Sequence, residues 1–155
     1  MAKWDVYSAT DAFGDMFDIK FDDIAEDALV QSVPILEGTM RSSAAASVKH
    51  EGDSAMVNSI KGSTPKKSAA TDCWIVNVGP RGYSSTKTYH AKRKNGHSKQ
   101  TYQVSNALKA IWKEYGIPGH QSAQPFIQKA TNQAKARVEK IIEDSFDKRF
   151  KEYEL

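Results

Sequence analysis

The sequence predicts an α+β domain: a small antiparallel sheet with a protruding β-hairpin, packed against a long N-terminal helix, a short helix and a long C-terminal helix. Three observations predict it. Apolar residues recur with helical spacing toward both ends of the chain, the middle carries a β-branched and aromatic run, and the pair Asn95-Gly96 interrupts a long polar segment. The 155 residues suffice for one core, so 1–155 is read as a single domain, with residues 1–16 as an extended N-terminal arm.

The first helix is expected from about Phe17 to Val48. Phe17, Phe21, Ile24, Ala28, Leu36, Met40, Ala44 and Val48 share a helical face, and Asp22, Asp23, Glu26 and Asp27 suit the positive end of its dipole. Pro34 lacks an N–H and predicts a kink or break near Val33. The small residues Ser42–Ser47 invite close approach by a neighbouring element. Asp53 or Ser54 is expected to cap a single turn leading into a strand. Residues 62–70 have turn composition. The run from Asp72 to Val78, ended by Gly79-Pro80, reads as one strand. Its face Trp74, Val76 and Val78 is expected against Ile111 and the stripe Ala130, Ala134 and Val138. Cys73 is then a small buried apolar residue without functional chemistry.

A type I′ turn at Asn95-Gly96 sets Lys94 opposite His97, Ala91 opposite Gln100 and Tyr89 opposite Tyr102. His90, Lys92, Lys94, His97 and Lys99 then share one cationic face, with Arg93 beside it, and nothing apolar is present to bury that face. The hairpin should protrude. A short helix from Ser105 to Tyr115 has Ala107, Leu108, Ile111, Trp112 and Tyr115 as its apolar positions, with Gly116 as C-cap and Pro118 beyond. The last helix begins at Ala123 or Pro125 and runs to about Glu152 along Phe126, Ala130, Ala134, Val138, Ile141, Phe146 and Phe150.

Charge is unevenly placed. Residues 1–54 hold four Lys/Arg against eleven Asp/Glu, net −7, and residues 55–119 hold eleven against two, net +9. The basic stretch suits nucleic acid or the acidic part of another copy. No run is apolar enough for a membrane span, the N-terminus lacks the pattern of a secretory signal, and a single cysteine suits a reducing cytoplasm.

Residues that would carry catalysis or hold a cofactor are sparse. His50, His90, His97 and His120 lack ligand spacing, and lysines surround two of them. Gly79-Pro80-Arg81-Gly82 is no phosphate loop, having too few glycines and no correctly spaced lysine. No enzyme activity, metal or cofactor is expected. The interleaved Tyr83, Tyr89, Lys92, Arg93 and Lys94 would track a nucleic-acid backbone without sequence preference.

In chain order stand Gly52 through Ser59-Ile60-Lys61, Val76-Asn77-Val78-Gly79-Pro80, Lys113-Glu114-Tyr115-Gly116, and Gln124-Pro125-Phe126 followed by Ala130. This order and spacing, over residues 34–155, resemble the minor tail component, tail-completion and neck (head–tail connector) proteins of long-tailed bacteriophages. The departures are Ile117-Pro118, where the family often has Thr, and a longer hairpin. The resemblance implies a non-enzymatic virion protein of the head–tail junction, made in the host cytoplasm. It implies a homo-oligomeric ring around the DNA channel, six copies rather than twelve, with head-closure and tail-terminator rings and genomic DNA as neighbours. Ser59, Ile60, Gly79, Glu114, Tyr115, Gly116, Pro125 and Phe126 carry the motif in structural roles, Tyr115-Gly116 as a helix end and Pro125-Phe126 as a helix start. His90, Lys92, Arg93, Lys94, His97 and Lys99 are the candidate contacts, with an acidic protein partner favoured over DNA. The second reading is a stand-alone, sequence-nonspecific nucleic-acid-binding module using residues 81–99.

Overall fold

The computed structural model describes residues 21–48, 51–71, 73–93 and 96–152, with side chains described outside 51–52 and 84–102. In chain order the elements are α1 (Phe21–Ala46), α2 (Glu51–Asn58), β1 (Ile60–Gly62), β2 (Lys66–Lys67), β3 (Trp74–Ile75), β4 (Val78–Pro80), β5 (Tyr83–Arg93), β6 (Gly96–Ser105), α3 (Asn106–Tyr115) and α4 (Phe126–Glu152). The class is α+β, as the sequence predicts. Its strands form three separate antiparallel pairs, β1–β4, β2–β3 and β5–β6.

Helices α1 and α4 run antiparallel. Phe21 at the start of α1 meets the rings of Phe146 and Phe150 near the end of α4, while Ala44 at the other end joins Phe126 and Ala130 in the core. Ile24, Ala28, Ser32, Met40 and Ala44 form the buried stripe of α1. Ser32 was not among the positions expected from periodicity. It is tolerated because its Oγ donates to the Ala28 carbonyl at 2.8 Å. Within the small run, Ala44 is fully buried and Ser43 Oγ reaches Gln133 Oε1 at 3.3 Å. Phe17 lies outside the described residues.

Helix α1 does not break at Pro34. Pro34 is exposed and Val30, whose carbonyl loses its helical partner, is 51% exposed. Water can satisfy that carbonyl, and burial of the stripe on either side holds the axis together. Helix α2 is likewise longer than the expected single turn. It starts at Glu51, ahead of the proposed caps Asp53 and Ser54.

Strand β1 is fastened to α1 by side chains that periodicity does not reveal. Arg41 donates to the Ile60 carbonyl from Nε at 3.0 Å and from Nη2 at 2.6 Å, and pairs with Glu37 at 3.3 Å. Glu37 Oε1 in turn accepts the Gly62 N–H. Gly62 needs its missing side chain, because a Cβ there would collide with Val33 Cγ1.

The run 72–78 is two strands rather than one. Trp74–Ile75 pairs with Lys66–Lys67, whereas Val78–Pro80 pairs with Ile60–Gly62. Between them the chain turns on Asn77, whose N–H donates to Ser63 Oγ at 3.0 Å and whose carbonyl accepts the Ser63 N–H at 2.8 Å. The expected packing of Trp74, Val76 and Val78 on Ile111 therefore fails. Val78 does pack against the core, but Ile111 is 50% exposed. Trp74 is half-buried, and its indole donates to Asp22 Oδ1 at 3.1 Å. Cys73, expected to be buried, is exposed, its thiol donating to the Thr71 carbonyl at 3.2 Å.

Asp22 ties this corner to α1, with Lys67 Nζ 2.6 Å from Oδ2. The hydrogen bond from Lys67, and next that from Trp74, hold its carboxyl below its ordinary value. Because the folded value is the lower one, the resulting stability is complete above the ordinary carboxylate range and lost as pH falls through the lowered value. Asp22→Asn should therefore flatten the acid limb of a plot of Tm against pH. An unchanged acid limb would show that this corner contributes nothing to stability.

The core lies where every layer meets. Met40 and Ala44 of α1, Met56 and Val57 of α2, Ile60 of β1, Ala110 of α3, and Phe126 and Ala130 of α4 form one buried cluster. Among the described residues, no helix is long and apolar enough to cross a membrane.

Candidate assembly surfaces

Helix α3 is held by its polar side. Ser105 sits in extended conformation at the N-cap, and its Oγ accepts the Leu108 N–H at 3.1 Å. Asn106 is buried; its backbone N–H reaches the Gly82 carbonyl at 2.9 Å and its Nδ2 the Arg81 carbonyl at 2.7 Å. About two turns later, Lys113 is 5% exposed. Its Nζ donates to the Ser47 carbonyl at 2.9 Å and pairs with Asp53 Oδ2 at 2.8 Å.

Glu114, also buried, caps a different helix. Its carboxylate accepts the Ile127 N–H at 2.8 Å and the Gln128 N–H at 3.1 Å, satisfying first-turn donors of α4 and placing negative charge at the positive end of its dipole. Gly116 makes this possible. At φ 78° it turns the chain back so that the Gln124 N–H reaches the Lys113 carbonyl at 2.7 Å. A Cβ at Gly116 would stand 2.7 Å from the Gln121 carbonyl oxygen and 2.8 Å from the Ala123 nitrogen, both backbone atoms. Pro125 falls one residue before α4 rather than inside its first turn, and its carbonyl accepts from Lys129 N at 3.3 Å.

Anchoring the polar side turns the apolar side outward. Leu108 is 38% exposed, Ile111 50% and Tyr115 78%, while Ala107 is exposed and Trp112 half-buried. These five residues cover one arc of about 140° on the helix. Of this arc the sequence predicts Ile111 in the core; the structure buries Asn106, Ala110, Lys113 and Glu114 instead. Tyr83, 66% exposed, stands at the start of β5, opposite the Ser105 cap.

The second surface is the β5–β6 ribbon. Ten residue pairs run from Tyr83↔Ser105 to Arg93↔Gly96, with a register irregularity between Tyr83 and Ser85. Its register differs by two residues from the expected one. Gly96 lies in the last strand pair instead of the turn, Tyr89 faces Gln100, Lys92 faces His97 and His90 faces Lys99. A shift of an even number of residues preserves pleat alternation, so positions 90, 92, 97 and 99 remain on one side of the ribbon. Arg93 pairs with Gly96, and Lys94 lies outside the described residues. The ribbon meets the body mainly at α2 and α3, near its open end where Val104 is buried.

The remaining motif residues have local structural work. Ser59 Oγ donates to the Met56 carbonyl at 2.7 Å, Ile60 is fully buried, and Gly79 pairs with Lys61. Gly79 has no neighbour within 4 Å of a Cβ, so space does not demand glycine there. Among the described residues, no group of three or more His, Cys, Asp or Glu gathers to hold a metal ion.

No family model, no curated protein and no solved structure matches the chain.

Proposed function

We propose that the chain is a non-enzymatic structural subunit of a phage virion, of the neck or tail-completion type, forming a ring at the head–tail junction. The observation that carries this reading is the outward apolar face of α3. Burying Lys113 and Glu114 carries a desolvation cost, and each needs its partners to offset it. A monomer gains nothing from that arrangement, since the opposite face of the same helix is the more apolar one. An assembling subunit gains a contiguous apolar patch on a helix that cannot rotate. The order of the sequence motifs supports the neck type, and the opposite charges of residues 1–54 and 55–119 supply complementarity between copies. Six copies rather than twelve, neighbouring closure and terminator rings, and DNA in the channel complete the proposal.

The ribbon favours a second reading as well. The ladder pairs Lys92 with His97 and His90 with Lys99, so basic residue types occupy opposed positions, a concentration that suits an anionic partner. That partner is acidic protein in a ring, or DNA phosphate in a nucleic-acid-binding module. Native mass measurement over a range of salt separates the two. Discrete closed oligomers support the ring. A single subunit whose affinity for DNA of arbitrary sequence falls steeply with salt overturns it in favour of the module.

A further inference from the structure

We infer that the outward face of the β5–β6 ribbon seats in the major groove of B-form duplex DNA, holding its phosphates without reading its sequence. This rests on the reading of the ribbon as an anion-binding surface and names the anion; it holds for a ring threaded by DNA and for a single subunit alike. Which face is outward follows from the open end of the ribbon. Successive residues of a strand lie on opposite faces, and there Gln103 is exposed while Val104 is buried. The register carries that division toward the tip. On the face of Gln103 lie the pairs Thr86↔Gln103, Thr88↔Thr101, His90↔Lys99 and Lys92↔His97. Four basic positions stand toward the tip with only Thr and Gln behind them, and neither strand contains an Asp or Glu.

The composition of that face separates the anions it could take. Cores of protein interfaces are depleted in Lys and anchored by large apolar or aromatic side chains. This face has no apolar or aromatic position. Interfaces with DNA are more polar and far more basic, as this face is. A single strand is gripped by bases stacked on aromatic residues among the cations. The pleat places Tyr89 and Tyr102 on the other face, the one that is buried at Val104. Tyr89 and Lys92, interleaved in sequence, are divided between the two faces of the ribbon.

Dimensions select the duplex and its groove. Paired strands lie about 4.8 Å apart, and a two-stranded ribbon fits the major groove of B-DNA, which is about 12 Å wide. The deep, narrow major groove of duplex RNA does not admit one. From Ser85↔Val104 to Arg93↔Gly96 the ladder extends about 27 Å, less than one DNA turn of about 34 Å. The four basic positions fall within about 7 Å of ribbon, a length over which the duplex carries about four phosphates. The ribbon meets the body mainly near its open end, which leaves the basic end for the groove.

The test measures equilibrium binding of the full-length chain to a DNA duplex of about two helical turns and arbitrary sequence, over a range of salt. The comparisons are single-stranded DNA, duplex RNA, polyglutamate, and a DNA duplex whose pyrimidines carry a bulky group at C5, which projects into the major groove. The plain DNA duplex should bind about tenfold or more tighter than each of the others. In Lys92→Gln with Lys99→Gln, the slope of log affinity against log salt should shrink by about two. Lys129→Gln with Lys140→Gln, at two exposed positions of α4, should leave that slope unchanged. Equal affinity for the bulky duplex overturns the groove, and equal or tighter binding of single strand or RNA overturns the B-form duplex. Equal or tighter binding of polyglutamate overturns DNA in favour of acidic protein. In all three cases the anion-binding reading stands, whereas no binding to any of these polyanions overturns both. An equal loss of slope in the two variants overturns the proposal, because net charge and not the ribbon then carries the contact. Where the ribbon variant does not fold, the bulky duplex decides alone.

Discussion

Phe126→Ala is expected to cost about 3–5 kcal/mol and to lower Tm by roughly ten degrees or more. Phe126 is 1% exposed and heads the fully buried side chains by volume. It stands in the cluster to which α1, α2, β1, α3 and α4 all contribute, so no single element can collapse into the space it leaves. Phe126 also opens α4, directly before the two N–H groups that Glu114 caps. The cavity would therefore loosen the joint that orients α3. Chemical melts of the two proteins check this. A loss below about 1 kcal/mol would show that the layers do not meet at this ring.

Lys113→Met should be of similar size, about 3–5 kcal/mol, for a different reason. Removing the ammonium leaves Asp53, whose side chain is 17% exposed, with its partner gone, and removes the donor to the Ser47 carbonyl. Adding Asp53→Leu to Lys113→Met should recover much of the loss, because the stranded charge is then gone as well. Urea melts of the wild type, both single variants and the double variant close the cycle. Additive losses would contradict the pairing.

The long helices are legible in the sequence because their stripes are. Ala28, Met40, Ala44, Phe126, Ala130 and Ala134 are buried where helical spacing places them. The start and end of α3 are equally legible, since Ser105 and Gly116 act through neighbours in sequence. Its orientation is not. The atoms that hold Lys113 and Glu114 inward belong to Ser47, Asp53, Ile127 and Gln128, each separated in sequence by 13 residues or more. Periodicity measures how amphipathic a helix is; it assumes that water lies on the polar side. That assumption fails when polar groups find buried partners.

The broken strand has a similar origin. Composition reads 72–78 as uniform, yet Asn77 pairs with Ser63 in both directions and diverts the chain between two ladders. In the ribbon, the Asn-Gly preference concerns local turn energy, whereas the register of ten pairs reflects the whole ladder. Of the candidate contact residues, His90, Lys92, Arg93, His97 and Lys99 fall on this ribbon, whereas the outward patch of α3 is not legible because spacing places Ile111 in the core.

The most direct test is the chemical melt of Ile111→Asp, at dilution sufficient to keep both proteins as single subunits, read beside native mass at assembly concentration. An outward-facing Ile111 predicts a melt within about 0.5 kcal/mol of wild type and the loss of oligomers. A loss of several kcal/mol in the isolated subunit would mean that the apolar side of α3 faces the core after all, and the assembly surface described above would not exist.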